Sequence, residues 1–142
     1  MDVVFLDANV LFSAAYRSQS RLRTLWGLTG VQLVSSRYAV EEARRNLVDE
    51  AQQEQLADLE RALTIVPELP EADYERTNLR SSGLPAKDLP ILGAAIAGRA
   101  THLLSGDVTH FAPLFEQTIG GVTILLPADY LRGVLGGGRA AE

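Results

Sequence analysis

The feature that most restricts the fold of this chain is the alternation of short apolar runs with segments of helical periodicity. Apolar, β-branched runs occur at residues 3–6, 31–36, 101–104 and 121–126. Buried parallel strands show such continuous apolar runs, and parallel neighbours need long, usually helical, crossovers. The pattern therefore predicts an α/β fold of three layers, with a mostly parallel central sheet of four to five strands covered by helices on both faces.

Helical periodicity fills most of the sequence between these runs. Val40, Ala43, Leu47 and Ala51 fall on one stripe, which predicts a helix that follows the capping residue Ser36 and continues to about residue 63. The other predicted elements are helices at residues 8–16, 69–79, 89–100 and 127–135 and a minor strand that begins at residue 64.

Length and composition indicate one domain that needs no disulfide bond for stability. A chain of 142 residues can bury a core of its own, and it contains no cysteine, as is usual in a reducing cytosol. We predict a single domain over residues 1–135 and a flexible tail at residues 136–142. No basic residue precedes the first apolar run, and Asp2 and Asp7 interrupt it. These residues are therefore expected to be neither a signal peptide nor a membrane span, and the protein to be cytoplasmic.

The charge of the chain does not by itself indicate a nucleic-acid partner. Net charge is −5, which gives no general attraction for phosphate. Every basic residue except Lys87 is arginine. The guanidinium group suits phosphate oxygens, but a compositional bias would produce the same excess, so the arginines alone identify no site.

Acidic residues stand where the predicted strands end and helices begin. Asp7 follows the first strand and Asp107 follows the strand at 101–104, while Asp88 and either Glu41 or Glu42 open helices. In a parallel sheet these positions share one edge, and ligands bind there. Clustered carboxylates repel each other unless a cation lies between them. Without cysteine, an all-oxygen cluster favours Mg²⁺ or Mn²⁺ and a phosphate substrate.

Each of these residues also has an ordinary structural alternative. Asp7 and Asp88 stand where helix caps stand, and Asp107 follows Gly106 as a turn aspartate would. Glu42 lies opposite the apolar stripe of its predicted helix, where solvated glutamates are common. Spacing alone leaves these alternatives open.

Four segments together resemble the PIN-domain family of small metal-dependent ribonucleases, and in particular the VapC-like bacterial toxin–antitoxin type. They are "FLDANVLFSAA", "VSSRYAVEEARRNL", "KDLPILGAAIAGRATHLLSGDVTHF" and "GVTILLPADYL". The resemblance runs from Val3 to about Leu131. It implies a Rossmann-like sheet with an acidic pocket and hydrolysis of RNA phosphodiester bonds that depends on Mg²⁺ or Mn²⁺.

The resemblance also implies roles for individual residues. The active-site set is Asp7, Glu42, Asp88, Asp107 and Ser105. Within it, Asp7, Asp88 and Asp107 would hold the metal, and Glu41 is the rival of Glu42. His110 stands where many relatives have another acidic residue, so one well-held ion is predicted and a second ion is left open. The residues expected to contact RNA are Asn9, Arg17 and Arg44, with Arg21, Arg23 and Arg45 as further candidates.

The expected partners follow from the resemblance alone. They are an RNA substrate, a cognate antitoxin and a second copy of the chain, with no membrane. Two other functions remain open from the residues. A phosphatase of the haloacid dehalogenase type would use Asp7 as nucleophile with Ser36 and Lys87, but it needs a second aspartate where this chain has Asn9. The other is a PIN-like module that binds a partner without cleaving RNA.

Overall fold

The central sheet has six strands in the order β3-β2-β1-β4-β6-β5. The structure, a computed structural model, describes the backbone of residues 1–140 and the side chains of residues 1–136. All neighbouring strands are parallel except β5 and β6. The predicted α/β class and mostly parallel sheet are thus confirmed. The strands are β1 (Asp2–Leu6), β2 (Val31–Ser36), β3 (Thr64–Val66), β4 (His102–Leu104), β5 (Thr118–Ile119) and β6 (Val122–Leu125).

Helices connect β1 to β2, β2 to β3 and β3 to β4, and a last helix follows β6. They are α1 (Ala8–Tyr16), α2 (Arg37–Asn46), α3 (Glu50–Glu60), α4 (Leu89–Ala97) and α5 (Pro127–Ala140). Short 3-10 turns occupy Arg21–Gly27, Glu71–Asp73, Arg80–Ser82, Ala86–Asp88 and Ala112–Leu114. Among the described residues, no helix is both long enough and apolar enough to cross a membrane.

The order of the strands reverses between β1 and β4. The chain first builds outward from β1 through β2 to β3, then returns past β1 to add β4 and β6 on the other side. The connections therefore leave this pair in opposite directions, which opens a crevice at the carboxyl ends of the two strands. Their register pairs Leu6 with Leu104, so the residues that follow them lie side by side at the crevice.

Large side chains of the sheet and small side chains of the helices make the core. Phe5, Leu6 and Leu104 are fully buried. The helices pack with small residues such as Ala14 and Ala43, which are also fully buried. Small residues let the helices lie close to the sheet, so the strand ends are held in fixed positions.

The number of strands is higher than predicted. The additional strand, β5, has only two residues and pairs antiparallel with β6. Gly120 and Gly121 connect the two strands with φ angles of 57° and 84°. That left-handed glycine pair is typical of a tight hairpin turn, whereas a two-residue strand is too short to show periodicity.

The predicted helix at residues 69–79 is wrong. The segment contains a single 3-10 turn, Glu71–Asp73, followed by irregular turns. Thr77 Oγ1 donates to the carbonyls of Asp73 and Tyr74 at 3.1 Å each, and Asn78 is left-handed with a φ of 58°. Hydroxyl bonds of this kind compete with the backbone pattern that a helix needs.

The predicted continuous helix after Ser36 is two helices. α2 ends at Asn46 and α3 begins at Glu50, where Asp49 accepts a hydrogen bond from the Ala51 N–H at 2.8 Å. Ala51 is exposed and does not extend the stripe of Val40 and Ala43. Asp49 is an ordinary cap signal that the apolar spacing obscured.

The predicted flexible tail, residues 136–142, lies largely outside the described side chains. The backbone of α5 is helical as far as Ala140, and residues 141 and 142 are outside the described range. Flexibility of this segment stays a prediction.

Candidate metal centre

Asp7 and Ser105 meet where β1 and β4 end. The Asp7 N–H donates to the Leu104 carbonyl at 3.0 Å, which extends the sheet by one residue. Ser105 Oγ donates to Asp7 Oδ2 at 2.8 Å and accepts from the Asp107 N–H at 3.1 Å. The fully buried hydroxyl of Ser105 therefore links the carboxylate of Asp7 to the backbone of Asp107.

Asp7 is a buried acid as well as a helix cap. Its Oδ1 accepts the Ala8 N–H at 2.7 Å, and the residue is only 5% exposed. Burial, opposed by hydrogen bonds from Ser105 and Ala8 and assisted by the charges of Glu42 and Asp88, raises the pKa of Asp7 from 3.8 to about 6. A cap does not require burial among other carboxylates. This environment is instead typical of a functional site.

Asn9 ties the first turn of α1 to the end of β4. Its Nδ2 donates to Asp7 Oδ2 at 3.2 Å and to Ser105 Oγ at 3.3 Å. Its Oδ1 accepts the Gly106 N–H at 2.7 Å. Both the nitrogen and the oxygen of the amide are thus engaged in hydrogen bonds within the protein. The predicted contact of Asn9 with RNA stays a prediction.

Asp107 begins a tight turn that carries His110. Asp107 Oδ1 accepts the N–H groups of Thr109 and His110 at 3.0 Å each, as a turn aspartate does. Its Oδ2 lies 2.9 Å from His110 Nδ1. Partial burial raises the pKa of Asp107, but the backbone hydrogen bonds and the charge of His110 outweigh it, so the pKa is lowered overall. Asp107 is therefore a carboxylate at neutral pH.

Asp88 faces the same imidazole from the start of α4. Its side chain makes no capping hydrogen bond, so the cap alternative is wrong for this residue. Asp88 Oδ2 is buried without a hydrogen bond and lies 3.2 Å from His110 Nδ1. Burial raises the pKa of Asp88, against the charges of His110 and Lys87. A buried carboxylate oxygen without a donor is an unfavourable arrangement that a cation would relieve.

Glu42 and Glu41 point to different surroundings. Glu42 lines a cavity of about 200 Å³ together with Ala8, Asn9, Phe12 and Asn46, and its charge raises the pKa of Asp7. Glu41 forms an ion pair with Arg44. The structure thus places Glu42 at the acidic edge and commits Glu41 to a contact within α2.

Tyr38 is a residue of this edge that the sequence did not reveal. Burial and the charges of Glu42 and Asp88 raise its pKa, against the charge of Arg45. Its hydroxyl donates to the Lys87 carbonyl at 2.7 Å, which ties α2 to the turn before Asp88. Nothing in its sequence context separates it from an ordinary partly buried tyrosine.

The predicted RNA-binding arginines have different environments. Arg44 pairs with Glu41 and, at 3.0 Å, with Glu60 of α3, so its guanidinium is already neutralised. Arg17 and Arg21 are exposed and form no ion pair within the described side chains. They line an open cavity of about 870 Å³ with Phe12 and Tyr16.

Arg23 and Arg45 complete the candidate arginines. Arg23 Nε donates to the Ala14 carbonyl at 2.8 Å, which makes it a structural contact to α1. Arg45 is exposed and close enough to lower the pKa of Tyr38.

The residues at this edge can hold a hard divalent cation. In the described part of the chain, one ligand atom each of Asp88, Asp107 and His110 lie within 4.8 Å of one another. Asp7, the third predicted metal ligand, is outside that group, and its Oδ2 accepts hydrogen bonds from Ser105 and Asn9. The orphaned oxygen of Asp88 is the feature that fits a cation best.

Comparison with known proteins identifies the fold family. The sequence profile of the PIN domain matches residues 3–109. No curated protein sequence matches the chain. Two solved structures resemble it, both at 19% identity: VapBC2 from Rickettsia felis, bound to a DNA fragment from their promoter, and FitAcB from Neisseria gonorrhoeae.

The structural likeness extends over most of each molecule. For VapBC2 the TM-score is 0.64, with 86% of this chain and 96% of that chain covered. For FitAcB the TM-score is 0.53, with 88% and 98% covered. Sequence identity this low supports only a shared fold. The profile match covers most of the sequence and therefore establishes the family. The chain belongs to the PIN-domain family.

Proposed function

We propose that this protein is an endoribonuclease that depends on Mg²⁺ or Mn²⁺. The observation that carries the proposal is the set of carboxylates at the β1–β4 crevice, where Asp7 is buried with a raised pKa and Asp88 Oδ2 has no hydrogen bond. Family membership supports it, since PIN domains are in general nucleases. A phosphate substrate also suits the chemistry, because its oxygens would share the cation with the carboxylates.

The chain's own residues divide the work of such a site. Asp88 and Asp107 would hold the cation, and Asp7 would be a further ligand from the same edge of the sheet. Bound there, the ion would neutralise the carboxylates and polarise a phosphate oxygen. Glu42, which lines the same cavity as Asn9, would orient an attacking water. Ser105 Oγ donates to the Asp7 carboxylate and accepts the backbone N–H of Asp107, so it would position both residues.

The RNA strand would leave this crevice along α1. Phe12 lines both the small cavity beside Glu42 and the larger open one beside Arg17. At a rise of 1.5 Å per residue, Arg17 lies about 12 Å along the helix axis from Asn9. Phe12 and Tyr16 stack with centroids 5.4 Å apart and offer a surface for an unpaired base. Arg17 and Arg21 would contact phosphates there.

The biological role proposed is that of a toxin held by a cognate antitoxin in the cytoplasm. The support is the likeness to VapBC2, a two-protein complex by its name, together with the sequence resemblance to PIN proteins of this type. An antitoxin would cover the acidic crevice or the open cavity lined by Phe12, Tyr16, Arg17 and Arg21, termed the α1 groove, and so prevent RNA from entering. A homodimer is proposed from the family alone.

The test is cleavage of a structured RNA in Mn²⁺ with single-residue variants. We expect the wild-type protein to cut in Mn²⁺ and to stop in EDTA. Asp7→Asn and Asp107→Asn should lower the rate by about a hundredfold or more while keeping the fold. Asp58→Asn is the matched control, since Asp58 is an exposed residue of α3 that forms an ion pair with Arg61. Equal activity in all three variants would refute the assignment of the site.

The two alternatives have less support. Ser36, the hydroxyl that a phosphatase would use, is buried and caps α2 by accepting the Ala39 N–H at 3.2 Å. An aspartyl-phosphate trapped on Asp7 would nevertheless restore that alternative. A non-catalytic module predicts that the protein binds RNA or a partner and that no ion supports cleavage, which the same assay measures.

A further inference from the structure

His110 is held against two carboxylates by the turn in which it lies. Asp107 caps the turn through two backbone N–H groups. Phe111, the residue after His110, is fully buried and anchors the turn in the core. The imidazole Nδ1 is 2.9 Å from Asp107 Oδ2 and 3.2 Å from Asp88 Oδ2. The position of the ring is therefore set by packing and backbone hydrogen bonds as well as by charge.

One proton on the ring cannot satisfy both carboxylates. Nδ1 carries at most one hydrogen, and that hydrogen bond goes to Asp107. Asp88 Oδ2 then lies beside the same nitrogen, buried and without a hydrogen bond. A cation between the three atoms would give each of them a partner, with the deprotonated Nδ1 facing the ion.

The spacing of the three atoms suits one six-coordinate ion. Adjacent ligands at about 2.1 Å from an octahedral ion are about 3.0 Å apart. The two nitrogen-to-oxygen separations are 2.9 and 3.2 Å, and all three ligand atoms lie within 4.8 Å of one another. The two distances from His110 Nδ1 thus match those between neighbouring ligands of such an ion.

We propose that His110 binds the catalytic cation directly through Nδ1 and makes the site prefer Mn²⁺ to Mg²⁺. The inference rests on the proposed function only in that it requires a divalent cation at this site. Mg²⁺ selects oxygen ligands, whereas the transition-metal ion accepts imidazole nitrogen readily. The competing role for His110 is a positive charge that neutralises the carboxylates without touching the ion.

The direct test is pulsed electron paramagnetic resonance of Mn²⁺ bound to tag-free protein. A nitrogen bonded to Mn²⁺ produces a ¹⁴N hyperfine coupling that a more distant ring does not. The chain has two histidines, and His102 stands at the start of β4, at the opposite edge of the sheet. His102→Gln is therefore the matched control. We expect the coupling in wild type and in His102→Gln and its loss in His110→Ala.

Calorimetry gives a second measurement that does not depend on activity. His110→Ala should weaken Mn²⁺ binding by about tenfold or more and Mg²⁺ binding much less, so the preference between the ions should shrink. His110→Asp should favour Mg²⁺ instead. Circular dichroism melts check that both variants fold.

The outcomes separate this inference from the proposed function. If Mn²⁺ binds the wild-type protein without ¹⁴N coupling, or if the coupling survives in His110→Ala, His110 is not a ligand, while the ribonuclease proposal stands. If RNA is cleaved equally well in EDTA, the proposed function fails and the ligand assignment fails with it. Coupling that only His110→Ala removes supports the assignment.

Discussion

At the scale of single residues, Asp7 and Asp107 illustrate how two similar carboxylates acquire opposite electrostatics. Asp7 is buried beside Glu42 and Asp88, which raises its pKa to about 6. Asp107 accepts two backbone N–H groups and faces His110, and its pKa is lowered. Both follow strands of the same crevice, so the difference arises from burial and hydrogen bonding and not from position along the chain.

The raised pKa of Asp7 predicts that the protein without divalent ions loses stability as pH rises. Below about pH 4 the carboxyl is protonated in the folded and the unfolded chain, and no penalty exists. Between pH 4 and 6 the unfolded chain releases the proton first, so the free energy of unfolding falls. A shift from 3.8 to about 6 corresponds to a penalty of up to about 3 kcal/mol above pH 6.

Asp7→Asn should remove that penalty. In EDTA we expect this variant to melt at a higher temperature than wild type at pH 7, with the difference shrinking toward pH 4. Asp107→Asn should behave oppositely, because a lowered pKa stabilises the fold above the ordinary value and the effect disappears in acid. Thermal melts from pH 4 to 8 check both predictions. If the melting temperatures of the two variants depend on pH in the same way, the assigned pKa shifts are wrong.

At the scale of elements, α1 would connect the proposed catalytic site to the proposed RNA-binding surface. Its first turn carries Asn9, which is hydrogen-bonded to Asp7 and Ser105. Phe12 and Tyr16 follow on one face, and Arg17 lies at the end of the helix. A single rigid helix would therefore hold the RNA strand at a set distance from the carboxylates.

Arg17→Ala and Arg21→Ala should each weaken binding of a single-stranded RNA oligonucleotide. The inactive Asp7→Asn protein is the background, so that binding is measured without cleavage. Each lost phosphate contact should lower the slope of log K against log salt by about 0.7. Arg61→Ala is the control, since Arg61 is exposed but paired with Asp58. An equal loss of affinity in this control would show that the α1 groove has no special role.

Substitution of two glycines by alanine should affect stability differently, because only one of them is closely packed. A methyl group on Gly98, which ends α4, would lie 2.9 Å from Val66 Cγ1 of β3, whereas one on Gly133 of α5 meets nothing within 4 Å. Gly98→Ala should destabilise the protein by about 1–3 kcal/mol through overpacking. Gly133→Ala should stabilise it by about 0.5–1 kcal/mol. Urea unfolding of both variants measures the difference, and equal midpoints would contradict it.

At the scale of the whole molecule, an ion bound in the acidic crevice would couple its binding to folding. The site assembles residues that follow β1 and β4, a residue of α2 and the residue before α4. These residues are distant in sequence, and the unfolded chain has no equivalent site. An ion that binds only the folded protein stabilises it according to its concentration relative to Kd. Net charge is −5, so part of any gain from cations arises from general screening.

Mn²⁺ at about a hundred times its Kd should stabilise the wild-type protein by about 2.7 kcal/mol. We expect a clear rise in melting temperature for wild type and a much smaller one for Asp107→Asn, which loses a ligand. NaCl at the same ionic strength is the control for screening. If NaCl produces the same rise, the crevice does not bind the ion specifically.

Much of this molecule could be predicted from the sequence, because its signals are local. Continuous apolar runs give β1, β2, β4 and β6, and the carboxylates that follow strands of one parallel sheet must share an edge. Where a local signal was weak or mixed, the prediction was wrong: residues 69–79 have helical composition, but Thr77 and Asn78 divert the backbone. The two-residue β5 was missed for lack of length.

Only the tertiary structure decided what each side chain at that edge does. The sequence places Arg44 and Arg17 equally as RNA contacts, yet Glu60 from the next helix neutralises the first and no described carboxylate reaches the second. Likewise, Asn9 donates hydrogen bonds to both Asp7 and Ser105, and His110 contacts Asp88, which lies far from it in sequence. Position along the chain determines which edge a residue occupies. Burial, pairing and pKa depend on neighbours from distant segments, which only the folded chain brings together.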